Sequence, residues 1–133
     1  MKTKMITATM LIVIFITAAS FGFQTKPWAV PDKNSKMANP VKADAASVKA
    51  GKSLWDKNCQ SCHGKTGKGD GSKAAGLKTH PGDFSGADMQ GQTDGALFYK
   101  VAEGRDEMPS FKKKLPDEED IWNLVNYMRS LKK

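Results

Sequence analysis

Cys59-Gln60-Ser61-Cys62-His63 places two thiols and an imidazole on one short stretch. C-x-x-C-H is the attachment pattern for a c-type haem. Each cysteine sulfur can add across one porphyrin vinyl group, and His63 can reach the iron from the proximal side. The spacing carries the chemistry. Two intervening residues make one turn, so both sulfurs meet one edge of a flat macrocycle. A bare C-x-x-C is ambiguous between a thioredoxin-like pair, half of a zinc site and a structural disulfide. The thioredoxin-like reading needs a nearby βαβ pattern, which this sequence lacks. A zinc site needs four ligands, and the chain has only these two cysteines plus His80. One covalently attached haem c is therefore the expected cofactor.

A chain with such a site has to leave the cytoplasm, because haem attachment needs thiols handled in an oxidising compartment. The N-terminus supplies the means. Lys2 and Lys4 precede the apolar run Met10–Ile16, and Thr17-Ala18-Ala19-Ser20 offers small residues. This is the pattern of a secretory signal over residues 1–23. Cleavage after Ala19 or before Gln24 fits it. The alternative is an uncleaved anchor, since Ile6 to Phe23 is about long enough to span a bilayer. A periplasmic location is expected, with attachment to the inner membrane only if the N-terminus stays.

The 133 residues carry a net charge of +7, of which Lys2 and Lys4 contribute two. The remaining basic excess suits an acidic docking surface on a redox protein partner. Lys65, Lys68, Lys73 and Lys112 to Lys114 are candidates for a basic rim. Nucleic acid is not an expected partner: the lysines lie in glycine-rich loops without interleaved aromatics, and the chain is exported.

Beyond the leader, residues 24–42 hold three prolines and no apolar period, which reads as a linker or arm. Trp28 in it reads as an aromatic packed on the domain surface or near a membrane, or else as an anchor for a partner. The domain proper spans 43–133. A first helix is expected from Asp44, a capping residue, to Asn58, with Val48, Gly51 and Trp55 on one face. Gly51 suggests a close crossing by another helix, because mid-helix glycine costs about 1 kcal/mol relative to alanine. Residues 64–87 are too rich in glycine for a long element and should wrap the haem edge. Thr93 caps a helix to Glu103, with Gly104 as its stop. A last helix, Asp117 to Leu131, carries an apolar stripe at Ile121, Leu124, Val125, Met128 and Leu131, flanked by Trp122 and Tyr127. No strand period is present, so the fold class is all-α.

The iron's sixth position has several candidate ligands. Met128 lies on the stripe and reads as core. Met89 sits in a polar segment and reads as a surface or gap-filling residue. Met37 lies in the arm. Met108 stands in a proline-pinned loop, Met108-Pro109-Ser110-Phe111, between two helices, a setting that can present a thioether rigidly. His80 is its rival and would give a lower potential than a methionine.

These segments together resemble the small bacterial single-haem c-type cytochromes over residues 43–132. The resemblance rests on Gly51 and Trp55, CQSCHG at 59–64, GKGDG at 67–71, HPGDF at 80–84, DGALFYKVAEG at 94–104, EMPSF at 107–111 and IWNLVNYMRSL at 121–131. It implies the cytochrome c fold, with first and last helices crossing beside the haem, Gly51 and Trp55 meeting Leu124 and Tyr127. It implies that the Pro81 carbonyl accepts the proton on Nδ1 of His63 and that Met108 is the distal ligand. One local departure is Pro116 after Leu115, which leaves Asp117 to cap the last helix. The function implied is electron transfer by a monomeric, non-enzymatic carrier in a respiratory chain or beside a dehydrogenase. An anchored oxidase or dehydrogenase subunit, or an open-site haem enzyme or gas sensor, are the alternatives.

Overall fold

A computed structural model describes residues 27–133, and its helices are α1 (Asp32–Ser35), α2 (Ala45–Asn58), α3 (Gln60–His63), α4 (Ala87–Gln90), α5 (Asp94–Glu103) and α6 (Glu118–Ser130). The expected signal, 1–23, lies outside the described residues, as do residues 24–26 of the arm. A single 3-10 turn covers Ala74–Gly76, and an isolated antiparallel bridge joins Arg105 to Met108.

The long helices start where their caps stand. The Asp44 carboxylate accepts from the Ser47 amide at 3.0 Å, and the Thr93 hydroxyl from the Ala96 amide at 3.2 Å. Asp117 caps α6 by accepting from the Glu119 amide at 3.0 Å, so Pro116 displaces nothing. Each cap gives one of a helix's orphan N–H groups a partner. Acidic residues Glu118, Glu119 and Asp120 fill the first turn of α6, where the helix dipole favours them. Gly104, at φ +67°, stops α5 as its sequence position suggests.

α2 and α6 meet at Gly51. A Cβ there would stand 2.0 Å from the Asn123 carbonyl oxygen and 2.9 Å from Tyr127 Cβ. The crossing thus falls on Asn123 and Tyr127, one residue from the expected Leu124, while Leu124 is fully buried in the core beneath it. Trp55, one turn further along α2, is also fully buried and lies 5.5 Å, ring to ring, from Tyr127. α5 closes the core from another side, with Phe98 stacked on Trp122 at 4.3 Å.

Two expectations change. α6 buries every residue from Ile121 to Met128, not a stripe with flanks. Its surplus polar residues are satisfied internally. Ser47 Oγ donates to Asn123 Oδ1 at 2.5 Å, and Asn126 Nδ2 donates to Ser47 Oγ at 2.8 Å and to the Val41 carbonyl at 3.1 Å. Buried amides persist only with such partners. The second change concerns the arm. Its described part is no free linker: α1 packs on α5, Asn39 Nδ2 donates to Asn126 Oδ1 at 2.8 Å, and Met37 and Val41 pack on the core. Hydrogen bonds to distant residues hold it, which explains the lack of an apolar period.

Gly51→Ala sets two effects against each other. Helix propensity favours alanine by about 1 kcal/mol. Forcing a methyl against a helix backbone costs up to about 3 kcal/mol. The contact atom is a carbonyl that no rotamer change can move, so the variant should be less stable by about 2 kcal/mol in urea unfolding. A more stable variant would mean that α2 and α6 do not touch at residue 51.

Candidate functional site

α2 delivers the motif directly. The Cys59 amide donates to the Trp55 carbonyl at 2.8 Å, continuing the helical pattern into the turn. Cys62 and His63 amides then both donate to the Cys59 carbonyl, at 3.1 and 2.9 Å. Both cysteines and the histidine therefore share one helical turn, and neither thiol is in a disulfide. Gly64, at φ +83°, ends the turn, and a side chain there would also strike Asp70.

The glycine-rich segment was expected to let backbone approach the macrocycle. In the structure its backbone approaches the motif. The Gly69 amide donates to the His63 carbonyl at 2.8 Å, Gly71 to Cys62 at 3.3 Å, and Lys73 to Ser61 at 2.8 Å. A Cβ at Gly71 would lie 2.4 Å from the Ser61 carbonyl oxygen. This wrap satisfies the carbonyls that the short α3 leaves open.

The environment of each motif residue fits a haem c. Burial pushes the Cys59 thiol up to about 12, so its sulfur is held uncharged at neutral pH. A thioether is uncharged at every pH and suits that setting. Among the described residues, no group of three or more His, Cys, Asp and Glu side chains is placed to hold a metal ion. Burial also lowers the His63 pKa, against the opposing pull of the Pro81 carbonyl. The imidazole is thus kept neutral, the form that ligates a metal. Its ring sits 5.0 Å from Phe84, edge to face, and 5.6 Å from Trp55.

The Pro81 carbonyl is near enough to His63 to act on its charge, yet it does not meet hydrogen-bond geometry. Nδ1 is left as a buried polar atom without a hydrogen-bond partner. A ligating histidine commonly gives this N–H to a carbonyl. Pro81 is the group in position to take it once the ring is oriented.

On the Met108 side, the Arg105 and Met108 backbones exchange two hydrogen bonds, at 2.8 and 2.9 Å, closing a tight turn. Asp106 in it adopts φ +51°, uncommon for a residue with a side chain. Ser110 Oγ donates to the Ala102 carbonyl at 2.6 Å, and the Phe111 amide to Val101 at 3.2 Å, which fasten the loop to α5. The half-buried Met108 packs on the core. Glu107 accepts from the Lys78 and Thr79 amides, at 2.8 and 3.3 Å, tying this turn to the loop that leads to Pro81.

The other candidate ligands lie elsewhere. His80 is exposed, its Nδ1 accepts from the Gly82 amide at 3.0 Å, and its ring lies against Gly69. Met128 is buried on α6, Met89 is half-buried in α4, and Met37 sits over Gly95. The basic rim is partly neutralised: Lys68 pairs with Asp83 at 3.2 Å and Lys112 with Glu103, while Lys114 lies over the Phe111 ring.

Phe84 and Glu107 were not singled out in the sequence. Phe84 is an aromatic inside a glycine-rich loop, a visible signal. Glu107 partners backbone amides 28 and 29 residues away and leaves no local trace.

The family described as cytochrome c oxidase, cbb3-type, subunit III, matches residues 46–128. The chain is 33% identical over 95 residues to a cbb3-type cytochrome c oxidase subunit CcoP of Azospirillum brasilense, covering 70% of this chain and 31% of that protein. It therefore spans about a third of the length of that relative. Among solved structures it is similar to a chain of the Kuenenia stuttgartiensis reducing HAO-like protein complex Kustc0457/Kustc0458 (25% identity, TM-score 0.63, covering 83% of this chain and 53% of that one). It is also similar to the c-type cytochrome KustC0563 (32% identity, TM-score 0.55, covering 62% of this chain and 98% of that one).

Proposed function

Since the chain belongs to the cbb3-type cytochrome c oxidase subunit III family and is an electron-transfer cytochrome, we propose that it is a one-haem carrier ligated by His63 and Met108. The haem c is attached through Cys59 and Cys62, and supplies reversible Fe(II)/Fe(III) chemistry. The observation that carries this reading is the shared turn of Cys59, Cys62 and His63, with a half-buried, neutral imidazole at its end.

The chain's residues do the rest. Trp55 and Phe84 fix the His63 ring from two sides. Trp55 is itself locked, donating through Nε1 to the Gly64 carbonyl at 2.9 Å. With the haem bound, the Pro81 carbonyl would accept a hydrogen bond from Nδ1–H of His63 and raise the ligand's basicity. Met108, held on its turn, closes the distal side. Two fixed ligands keep reorganisation small on electron transfer, and a thioether ligand raises the potential. With His63 and Met108 both holding the iron, no position would be open to a substrate, which supports a carrier over an enzyme or gas sensor.

The partners are redox proteins. The exposed Lys65, Lys73 and Lys113, with no neutralising carboxylate in the described structure, suit an acidic docking face on a monomeric carrier.

A second reading is an electron-transfer subunit held to the membrane by an uncleaved N-terminus. The similarity to CcoP favours it. Among the described residues no helix is long and apolar enough to cross a membrane, and residues 6–23 are the anchor candidate within this sequence. Recovery of the protein in the soluble periplasmic fraction, with its N-terminus near Gln24, would exclude the anchored form. Recovery only with membranes would exclude the free carrier.

Absorption spectra test the ligand set. The oxidised protein should be low-spin with a weak far-red band from the iron–sulfur bond, and the reduced protein should take up CO only slowly. Met108→Ala should keep its haem, lose the far-red band, bind CO readily and have a lower potential. A wild-type spectrum unchanged by that substitution would rule Met108 out as ligand.

A further inference from the structure

Trp28 is the one arm residue whose ring meets two cations. Arg105 Cζ lies 4.7 Å from its ring centroid and Lys100 Nζ lies 5.5 Å from it. The position follows from how the arm is laid. Thr93 Oγ1 donates to the Ser35 carbonyl at 2.6 Å, and a Cβ at Gly95 would lie 2.1 Å from the Asn34 carbonyl oxygen. Residues 34 and 35 therefore sit at the start of α5, and Trp28 reaches its far half and the turn beyond. The arm runs antiparallel to α5 along most of its length.

That turn is the one that carries Met108. Arg105 is its first residue and exchanges both backbone hydrogen bonds with Met108. Its guanidinium also pairs with the Asp106 carboxylate at 3.4 Å, at the residue with positive φ. A turn containing a left-handed aspartate is not held by its own preferences. The indole face supplies an external hold. It also keeps two like charges together: the proximity of Arg105 helps to lower the Lys100 pKa, after burial. An aromatic face between or beneath two cations offsets their repulsion. Lys100 is steadied further by donating to Gln92 Oε1 at 2.5 Å.

We propose that Trp28 is a positioning residue for Met108: by clasping Arg105, the N-terminal arm holds the distal-ligand turn against α5. This rests on the reading of Met108 as the distal ligand. A clasp of this kind makes the arm part of the redox site, although it lies outside the segment that binds the haem covalently.

The test uses the full holoprotein with Trp28→Ala, Trp28→Phe and Asn39→Ala. Asn39→Ala loosens the arm from Asn126 at the other end, away from the turn. Trp28→Ala should keep the haem and the far-red band. Its reduced form should bind CO about fivefold faster, because a larger fraction of molecules have Met108 off the iron. Amide hydrogen exchange at residues 105–110 should accelerate in step. Trp28→Phe, which retains an aromatic face, should restore most of the wild-type behaviour, and Asn39→Ala should leave the CO rate unchanged. The proposal is overturned if Trp28→Ala matches wild type in both readouts, or if Asn39→Ala raises the CO rate as much. A wild-type protein without the far-red band would instead overturn the Met108 reading, and the proposal with it.

Discussion

The Asn123 carbonyl occupies the space that a side chain at residue 51 would need, 2.0 Å from the missing Cβ. Glycine at that point lets α2 and α6 approach backbone to backbone. Everything at the redox site is referenced to this contact. α2 leads through its cap residue Cys59 directly into the turn that carries Cys62 and His63, so fixing α2 on α6 fixes the height and direction of His63. Trp55 transmits the alignment. It is buried under Tyr127, bonded to the Gly64 carbonyl, and in ring contact with His63. The proposed proximal ligand, His63, therefore stands on a rigid element, as a redox site needs if its geometry is to survive a change of charge.

The distal side is built differently. Met108 sits on a loop and gains its rigidity from several separate ties: a two-bond turn, Ser110 on Ala102, and Glu107 on the Lys78 and Thr79 amides. Glu107 also links the Met108 turn to the loop that brings Pro81 towards His63. Disturbing one loop is thereby felt by the other. Such coupled loops on a fixed helix pair suit a carrier, whose ligands must stay in place through many redox cycles.

Much of this is visible in the chain before folding. The caps at Asp44, Thr93 and Asp117, the stop at Gly104 and the crossing glycine all act through local rules of spacing and backbone preference, so they read correctly. What escapes are interactions between residues far apart in sequence. Asn123 and Asn126 look like solvent-facing positions until Ser47, Asn39 and Val41 are seen beside them. The arm lacks any period because its order comes from bonds to α5 and Asn126 and not from an apolar face. The glycine-rich loop also packs on the motif's own backbone, with Gly71 against Ser61 and the Gly69 amide on the His63 carbonyl, pairings that its composition does not announce. Phe84 shows the same limit: a loop aromatic gives notice of packing, but not that its partner is the proximal histidine.

The central claim is that Met108 alone among the methionines closes the iron opposite His63. Proton NMR of the reduced holoprotein with isotopically labelled methionine methyl groups tests it most directly. The macrocycle's ring current should shift one methyl strongly upfield, and that signal should be the one lost in Met108→Leu, with the resonances of Met37, Met89 and Met128 in their ordinary range. An upfield methyl belonging to another methionine, or none at all with His80 resonances shifted in its place, would contradict the account.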